Sequence, residues 1–145
     1  NNLLYFSTGI NRDAELVLGD QKKKVEKSPD KSKVIESLDK IKDLGQRVKR
    51  YLLDGELDKF GSSLHTHWLI KKTLSGKMSN SQIDDWYEKG IAFGASGGKI
   101  MGAGGGGWFV FYVNKNRENF RTKMKKLGLI PQYVNFDWDG TQLLT

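Results

Sequence analysis

Residues 93–113 read FGASGGKIMGAGGGGWFVFYV, with eight glycines between positions 94 and 107 and then an abrupt change to aromatic and β-branched residues. A chain accepts the entropic cost of so many glycines where its backbone must take positive φ or press closely against another part. A flexible linker is rich in Ser and other polar residues, whereas here Ile100, Met101 and Ala103 return between the glycines. The following run, Trp108-Phe109-Val110-Phe111-Tyr112-Val113, has the β-propensity of a buried strand. An ordered loop leading directly into a core strand is therefore expected.

Gly102, Gly104 and Gly107 match the spacing G-x-G-x-x-G, which in dinucleotide-binding folds follows a strand and opens a helix. Here the order is reversed. Ile83, Trp86, Tyr87 and Gly90 lie at helical spacing before the glycines, so the loop is expected to leave a helix, whose C-terminal dipole repels phosphate. A nucleotide phosphate loop also fails, because Ile100 follows Gly98-Lys99 where Ser or Thr is needed, and Phe93 stands five positions before Gly98. Any anion contact must come from a nest of backbone N–H groups, or the loop must support a neighbouring phosphate loop.

At 145 residues the chain matches one domain, by a prior of about 100–200 residues per domain. Its 37% apolar content and two prolines suit a globular core, and no run approaches the roughly 20 apolar residues that cross a bilayer. The absence of cysteine excludes disulfides, thiolate catalysis and Cys-ligated zinc, and fits a cytoplasmic setting. The net charge of +7 is densest at Lys22-Lys23-Lys24-Val25-Glu26-Lys27, which reads as a solvated helix end. With neither a docking motif nor base-stacking aromatics on a basic face, nucleic-acid binding is not expected. A moderate positive field also suits phosphorylated substrates.

A strand is expected over residues 3–7, then a helix capped by Asn11 that passes Gly19 toward Lys27. Val34, Leu38, Ile41, Val48 and Leu52 mark an amphipathic helix over residues 31–53, closed by Gly55. A third helix carries Leu57, Phe60, Leu64, Trp68 and Leu74 on one side, and Ser79 or Asn80 caps a fourth. After the glycine loop and its strand come a short helix with Phe120, Met124 and Leu127, a stop at Gly128, and a final strand over residues 130–138, continued by Leu143 and Leu144. Strands at both ends and around the glycines, with helices between, predict an α+β fold: a mainly antiparallel sheet covered by helices, in one domain over residues 1–145.

Smaller groups carry chemistry in some readings and only structure in others. Thr8-Gly9-Ile10-Asn11-Arg12 joins a strand to a helix, where amides and a guanidinium can meet a phosphate; the alternative is a helix cap with Arg12 on the surface. His65 and Lys72 share one helical face, while His65 and His67, two apart, point in different directions and cannot chelate one metal together. The plainer reading makes His65 a hydrogen-bonded, partly buried side chain and leaves Lys71 and Lys72 solvated. Asp84-Asp85 suits the first turn of a helix. Asp137 and Asp139 share a strand face without a third ligand, so no metal site is assigned.

GASGGKIMGAGGGG followed by an aromatic strand resembles the third motif of the GHMP small-molecule kinases, named for galactokinase, homoserine kinase, mevalonate kinase and phosphomevalonate kinase. The heptose-phosphate kinase branch is the most similar, through LLYFSTGINRDAE, HTHWLIKKTLSGKMSNSQID and FDWDGTQLL in that order. The resemblance implies the family's C-terminal, ferredoxin-like domain and an ATP- and Mg²⁺-dependent transfer of phosphate to a sugar or sugar phosphate. It places Thr8, Arg12, His65, Lys72 and Lys99 beside substrate or phosphate, with the loop Gly102, Ala103, Gly104, Gly105, Gly106 and Gly107 bracing the phosphate loop.

The family's second motif, P-x-x-x-G-L-G-S-S, does not occur, and the catalytic base and acidic Mg²⁺ ligand belong to that missing half. No catalytic residue and no ligand for ATP or Mg²⁺ is therefore expected in this chain, which opens with Asn1 and reads as the C-terminal part of a kinase more than twice its length. The upstream domain is the expected partner, and the piece alone is expected to be inactive. Two alternatives share these features: a galactose, fucose or mevalonate-type kinase, and a non-catalytic binding or dimerisation module derived from the domain.

Overall fold

The computed structural model describes residues 2–11, 14–27, 31–135 and 137–140, the side chains at 14, 16, 21 and 25–27 excepted. Its elements run β1 (Leu3–Ser7), α1 (Ala14–Lys27), α2 (Lys31–Leu53), α3 (Leu57–Leu74), α4 (Ser81–Ala92), β2 (Gly97–Ile100), β3 (Trp108–Tyr112), α5 (Arg117–Lys126) and β4 (Ile130–Gln132). The four strands form one sheet in the order β2-β3-β1-β4, antiparallel throughout. The fold is thus the α+β arrangement that the sequence predicts.

Side-chain alternation gives the sheet two faces. The pairs Leu4↔Phe111 and Phe6↔Phe109 put four fully buried side chains on one face. Helices α4 and α5 cover that face with Ile83, Trp86, Tyr87, Phe120 and Met124. Phe111 sits at the middle, its ring centroid 5.1 Å from Phe109, 5.5 Å from Phe120, 6.0 Å from Tyr87 and 6.2 Å from Phe6. Each buried ring contributes about 1.5–3 kcal/mol by leaving water, and each well-placed pair about 0.5–1.5 kcal/mol more.

Helix α3 lies directly on edge strand β2. A Cβ at Gly97 would fall 2.2 Å from the Gly61 carbonyl oxygen and 2.7 Å from the His65 nitrogen, so only glycine permits this approach. One at Gly61 would fall 2.3 Å from the Tyr112 ring. A satellite core of Val17, Val34, Leu74 and Met78, with Ile41 and Ala103 against it, joins α1 and α2 to the far end of α3.

Several local expectations hold, and others are corrected. Helix α1 passes Gly19 without ending, although its start at 12 and 13, including a cap from Asn11, lies outside the described residues. The Asn80 side chain accepts from the Ile83 amide at 2.9 Å and caps α4. Gly128, at φ +91°, follows the last turn of α5. Part of the expected glycine loop is instead β2, because Gly97 and Gly98 leave room for α3 and for the Phe111 ring. The predicted stripe on α2 is only partly buried: Leu38 and Leu52 are exposed and Leu44 takes an inward position, since α2 lies along α3 with Leu44 beside Ser62, Ser63 and Thr66. The last strand stops at Gln132, where Pro131 removes a ladder donor and Tyr133 and Val134 turn to solvent. Leu143 and Leu144 lie outside the described residues.

Candidate functional site

The segment 101–107 connects β2 to β3, so it does not leave the end of α4 as the sequence suggested, and the repulsive dipole of that helix end does not act on it. Backbone shape and close neighbours both demand glycine here. Gly104, at φ +100°, has no room for a Cβ, which would lie 2.6 Å from the Met78 sulfur and 2.9 Å from its carbonyl oxygen. At Gly106, φ is +153° and the corresponding clash is with the Ile10 carbonyl at 2.8 Å.

The hairpin is tied on three sides. The Gly105 amide donates to Met78 O at 2.7 Å, the Gly107 amide to Ile10 O at 3.2 Å, and the Lys71 ammonium to Gly102 O. Ala103 packs into the satellite core, fixing the loop to α1 and α2. With the Gly105 and Gly107 amides already bonded within the domain, the loop is built as a brace more than as an anion nest.

Thr8 belongs to the same assembly. Its amide and its hydroxyl both donate to Gly107 O, at 2.8 and 2.9 Å, and the hydroxyl accepts from the Ile10 amide at 3.2 Å. Buried at the end of β1, Thr8 locks the turn at 8–11 onto the hairpin. The prediction for Arg12 falls outside the described residues.

His65 and Lys72 line a separate open groove of about 290 Å³ between α3 and α4, with Leu69, Asp84, Tyr87 and Ile91. His65 Nδ1 lies 2.7 Å from the Tyr87 hydroxyl and the two rings stack at 9°. Burial pushes the Tyr87 phenol above its ordinary range, so it stays protonated. Lys72 Nζ pairs with Asp84 Oδ1 at 2.9 Å, and Ser79 Oγ donates to the same oxygen at 2.8 Å. His65 thus has the partner of the plainer reading, but neither Lys71 nor Lys72 is merely solvated.

Lys99 is brought to neither group. Opposite Val110 in the register, it projects from the sheet face away from Phe109 and Phe111, and burial lowers its pKa. His67, weighed in the sequence only as a metal ligand, is held down at about 4, first by burial and then by Lys99 and Lys71. The sequence signal available for it was its four-residue spacing from Lys71.

The acidic pairs have structural partners. Asp84 answers Lys72, Asp85 answers Lys89 at 2.8 Å, and Asp137 accepts from the Asp139 amide at 2.9 Å. Asp137 and Asp139 lie beyond β4 instead of on a strand. Among the described residues no three His, Asp or Glu side chains converge as metal ligands. No helix among them is long and apolar enough to cross a membrane.

A family model described as "GHMP kinases C terminal" matches residues 48–128, more than half the chain, and the chain belongs to that family. Among its relatives is the D-glycero-alpha-D-manno-heptose 7-phosphate kinase of Campylobacter jejuni, 31% identical over 141 residues, which are 97% of this chain and 40% of that protein. The bifunctional fucokinase/GDP-fucose pyrophosphorylase of Arabidopsis thaliana is 27% identical over 72% of this chain and 9% of its own length. The chain therefore spans less than half of either relative. The same fold occurs in L. major mevalonate kinase, at TM-score 0.72 and 22% identity over 86% of this chain and 36% of that one. It occurs also in Streptococcus pneumoniae phosphomevalonate kinase, at TM-score 0.70 and 16% identity over 90% and 38%.

Proposed function

We propose that this chain is the C-terminal lobe of an ATP-dependent sugar or sugar-phosphate kinase of the heptose-phosphate type, which transfers the γ-phosphoryl group of ATP to a sugar hydroxyl. The observation that carries this reading is the 31% identity to a heptose 7-phosphate kinase over 97% of the chain, a span that takes in both the turn at Thr8 and the glycine hairpin.

Phosphoryl transfer depends mainly on positioning and charge stabilisation, with little covalent work for the protein. That requirement suits a hairpin bonded to β1, to the α3–α4 turn and to α3. In this reading the hairpin braces a phosphate loop on an upstream lobe, which also supplies the catalytic base and the Mg²⁺ ligand. The ATP and Mg²⁺ sites belong to that lobe, and Mg²⁺ there neutralises charge on the transferring phosphate. On this chain, Thr8 and the loop from Gly102 to Gly107 set the geometry. In this reading Lys99 and the groove of His65 and Lys72 serve substrate or phosphate, and Arg12 takes the role that the family resemblance implies for it.

The fucokinase relative favours one second reading, a free sugar as acceptor. Substrate profiling of the full-length parent separates the two. Turnover of ATP with a heptose 7-phosphate and little with fucose, galactose or mevalonate is expected; preference for an unphosphorylated sugar supports the second reading. Absence of turnover with every acceptor points to a non-catalytic module.

A further inference from the structure

Met78, in the turn between α3 and α4, holds the tip of the hairpin. Its carbonyl accepts from the Gly105 amide at 2.7 Å, and its sulfur occupies the space that a Cβ at Gly104 would need. Any shift of that turn therefore passes to the hairpin. Ser75, the residue that ends α3, sets the shape of the turn: its hydroxyl oxygen accepts from the Lys77 amide at 3.1 Å, and its carbonyl accepts from the Met78 amide at 3.2 Å. Ser75 is 1% exposed, and a hydroxyl so deeply buried destabilises a fold unless its hydrogen finds an acceptor. Asp20, 55 residues away on α1, supplies one, for Ser75 Oγ donates to Asp20 Oδ2. Val17, three residues before Asp20, packs with Leu74 and Met78 in the satellite core, so one face of α1 brings both the apolar contact and the carboxylate.

We infer that Asp20 is a positioning residue for the glycine hairpin, acting through Ser75 and Met78. The carboxylate fixes the Ser75 hydroxyl, the hydroxyl fixes the turn, and Met78 in that turn fixes Gly104 and Gly105. Thr8, at the end of β1, fixes Gly107 from another direction. Misplacement at a reacting centre is costly, with about 1 Å worth roughly a hundredfold in rate. The chain of bonds stands on geometry alone. Only what the hairpin positions, the groups that transfer phosphate, rests on the kinase reading above.

Hydrogen exchange of backbone amides, followed by NMR on this 145-residue chain, tests the relay without any need for turnover. Asp20→Ala is expected to speed exchange at Gly105 at least about tenfold, and to leave Phe111, on an inner strand of the sheet, within about twofold of the unaltered chain. Asp20→Asn, which keeps an oxygen to accept from Ser75, is expected to retain slow exchange at Gly105. An unchanged Gly105 rate in Asp20→Ala, or equal acceleration at Gly105 and Phe111, overturns the relay. In the full-length parent, Asp20→Ala is then expected to lower kcat about tenfold, with KM for the acceptor within about twofold, and Asp20→Asn to restore it. A normal kcat in an Asp20→Ala variant whose Gly105 exchanges fast overturns the positioning role. Absence of turnover in the unaltered parent, by contrast, sinks the kinase reading, while the exchange result still decides the relay.

Discussion

His67 is the residue whose surroundings have the clearest consequence in solution. Its ring has an ordinary value of 6.5 when the chain is unfolded and about 4 in the fold, through burial and then the neighbouring Lys99 and Lys71. Between those values the unfolded chain binds the extra proton, so stability declines as pH falls from about 6.5 toward about 4 and this component is constant below that. His67→Gln is therefore expected to flatten the pH dependence of the urea midpoint across that window. An unchanged slope would show the ring to be solvated. Ala103 gives a second test. Packed against the satellite core, it makes Ala103→Asp destabilising by about 1–3 kcal/mol through a buried unpaired carboxylate, measured by chemical denaturation. The positive-φ glycines of the hairpin were legible in the sequence because backbone conformation is a local property, whereas the bonds of Thr8 to Gly107, 99 residues away, were not. The Lys71 bond to Gly102 was not, since 31 residues separate the partners and nothing in either segment names the other.

The strand β2 shows how element-scale prediction turns on packing. Its glycines argue for a loop by propensity, yet they form a strand because α3 needs bare backbone to lie against. Gly97→Val is expected to cost at least about 2–3 kcal/mol, because its Cβ meets backbone atoms at 2.2 and 2.7 Å that no rotamer change can move. A midpoint equal to that of the unaltered chain would mean that α3 does not lie on this strand. Removing the α4 cap with Asn80→Ala is expected to cost about 1 kcal/mol, read by the same denaturation experiment. Helices α2 to α5 were legible from their periodicity, caps and glycine stops. The inward choice of Leu44 over Leu38 and Leu52 was not, because it depends on how α2 lies along α3, where Leu44 sits beside Ser62, Ser63 and Thr66.

At the scale of the whole molecule, two cores meet at one hairpin. The sheet core holds β3, the satellite core holds Ala103, and β1 holds Gly107 through Thr8. A loop fixed from so many directions keeps its shape while whatever docks on it changes, which is the property a phosphate-positioning brace requires. In our reading the chemistry is split between this lobe and an upstream one, and the chain's span of 40% of its heptose-kinase relative agrees with that division. The family was legible from four ordered sequence blocks, and the fold class from the order of strands and helices, whereas no single block names an acceptor. The most direct measurement is steady-state kinetics of Gly104→Val in the full-length parent, with its fold checked by circular dichroism and thermal melting. A fall in kcat/KM of about a hundredfold or more in a folded variant is predicted, and full activity with an intact fold would contradict the assignment of the hairpin to nucleotide chemistry.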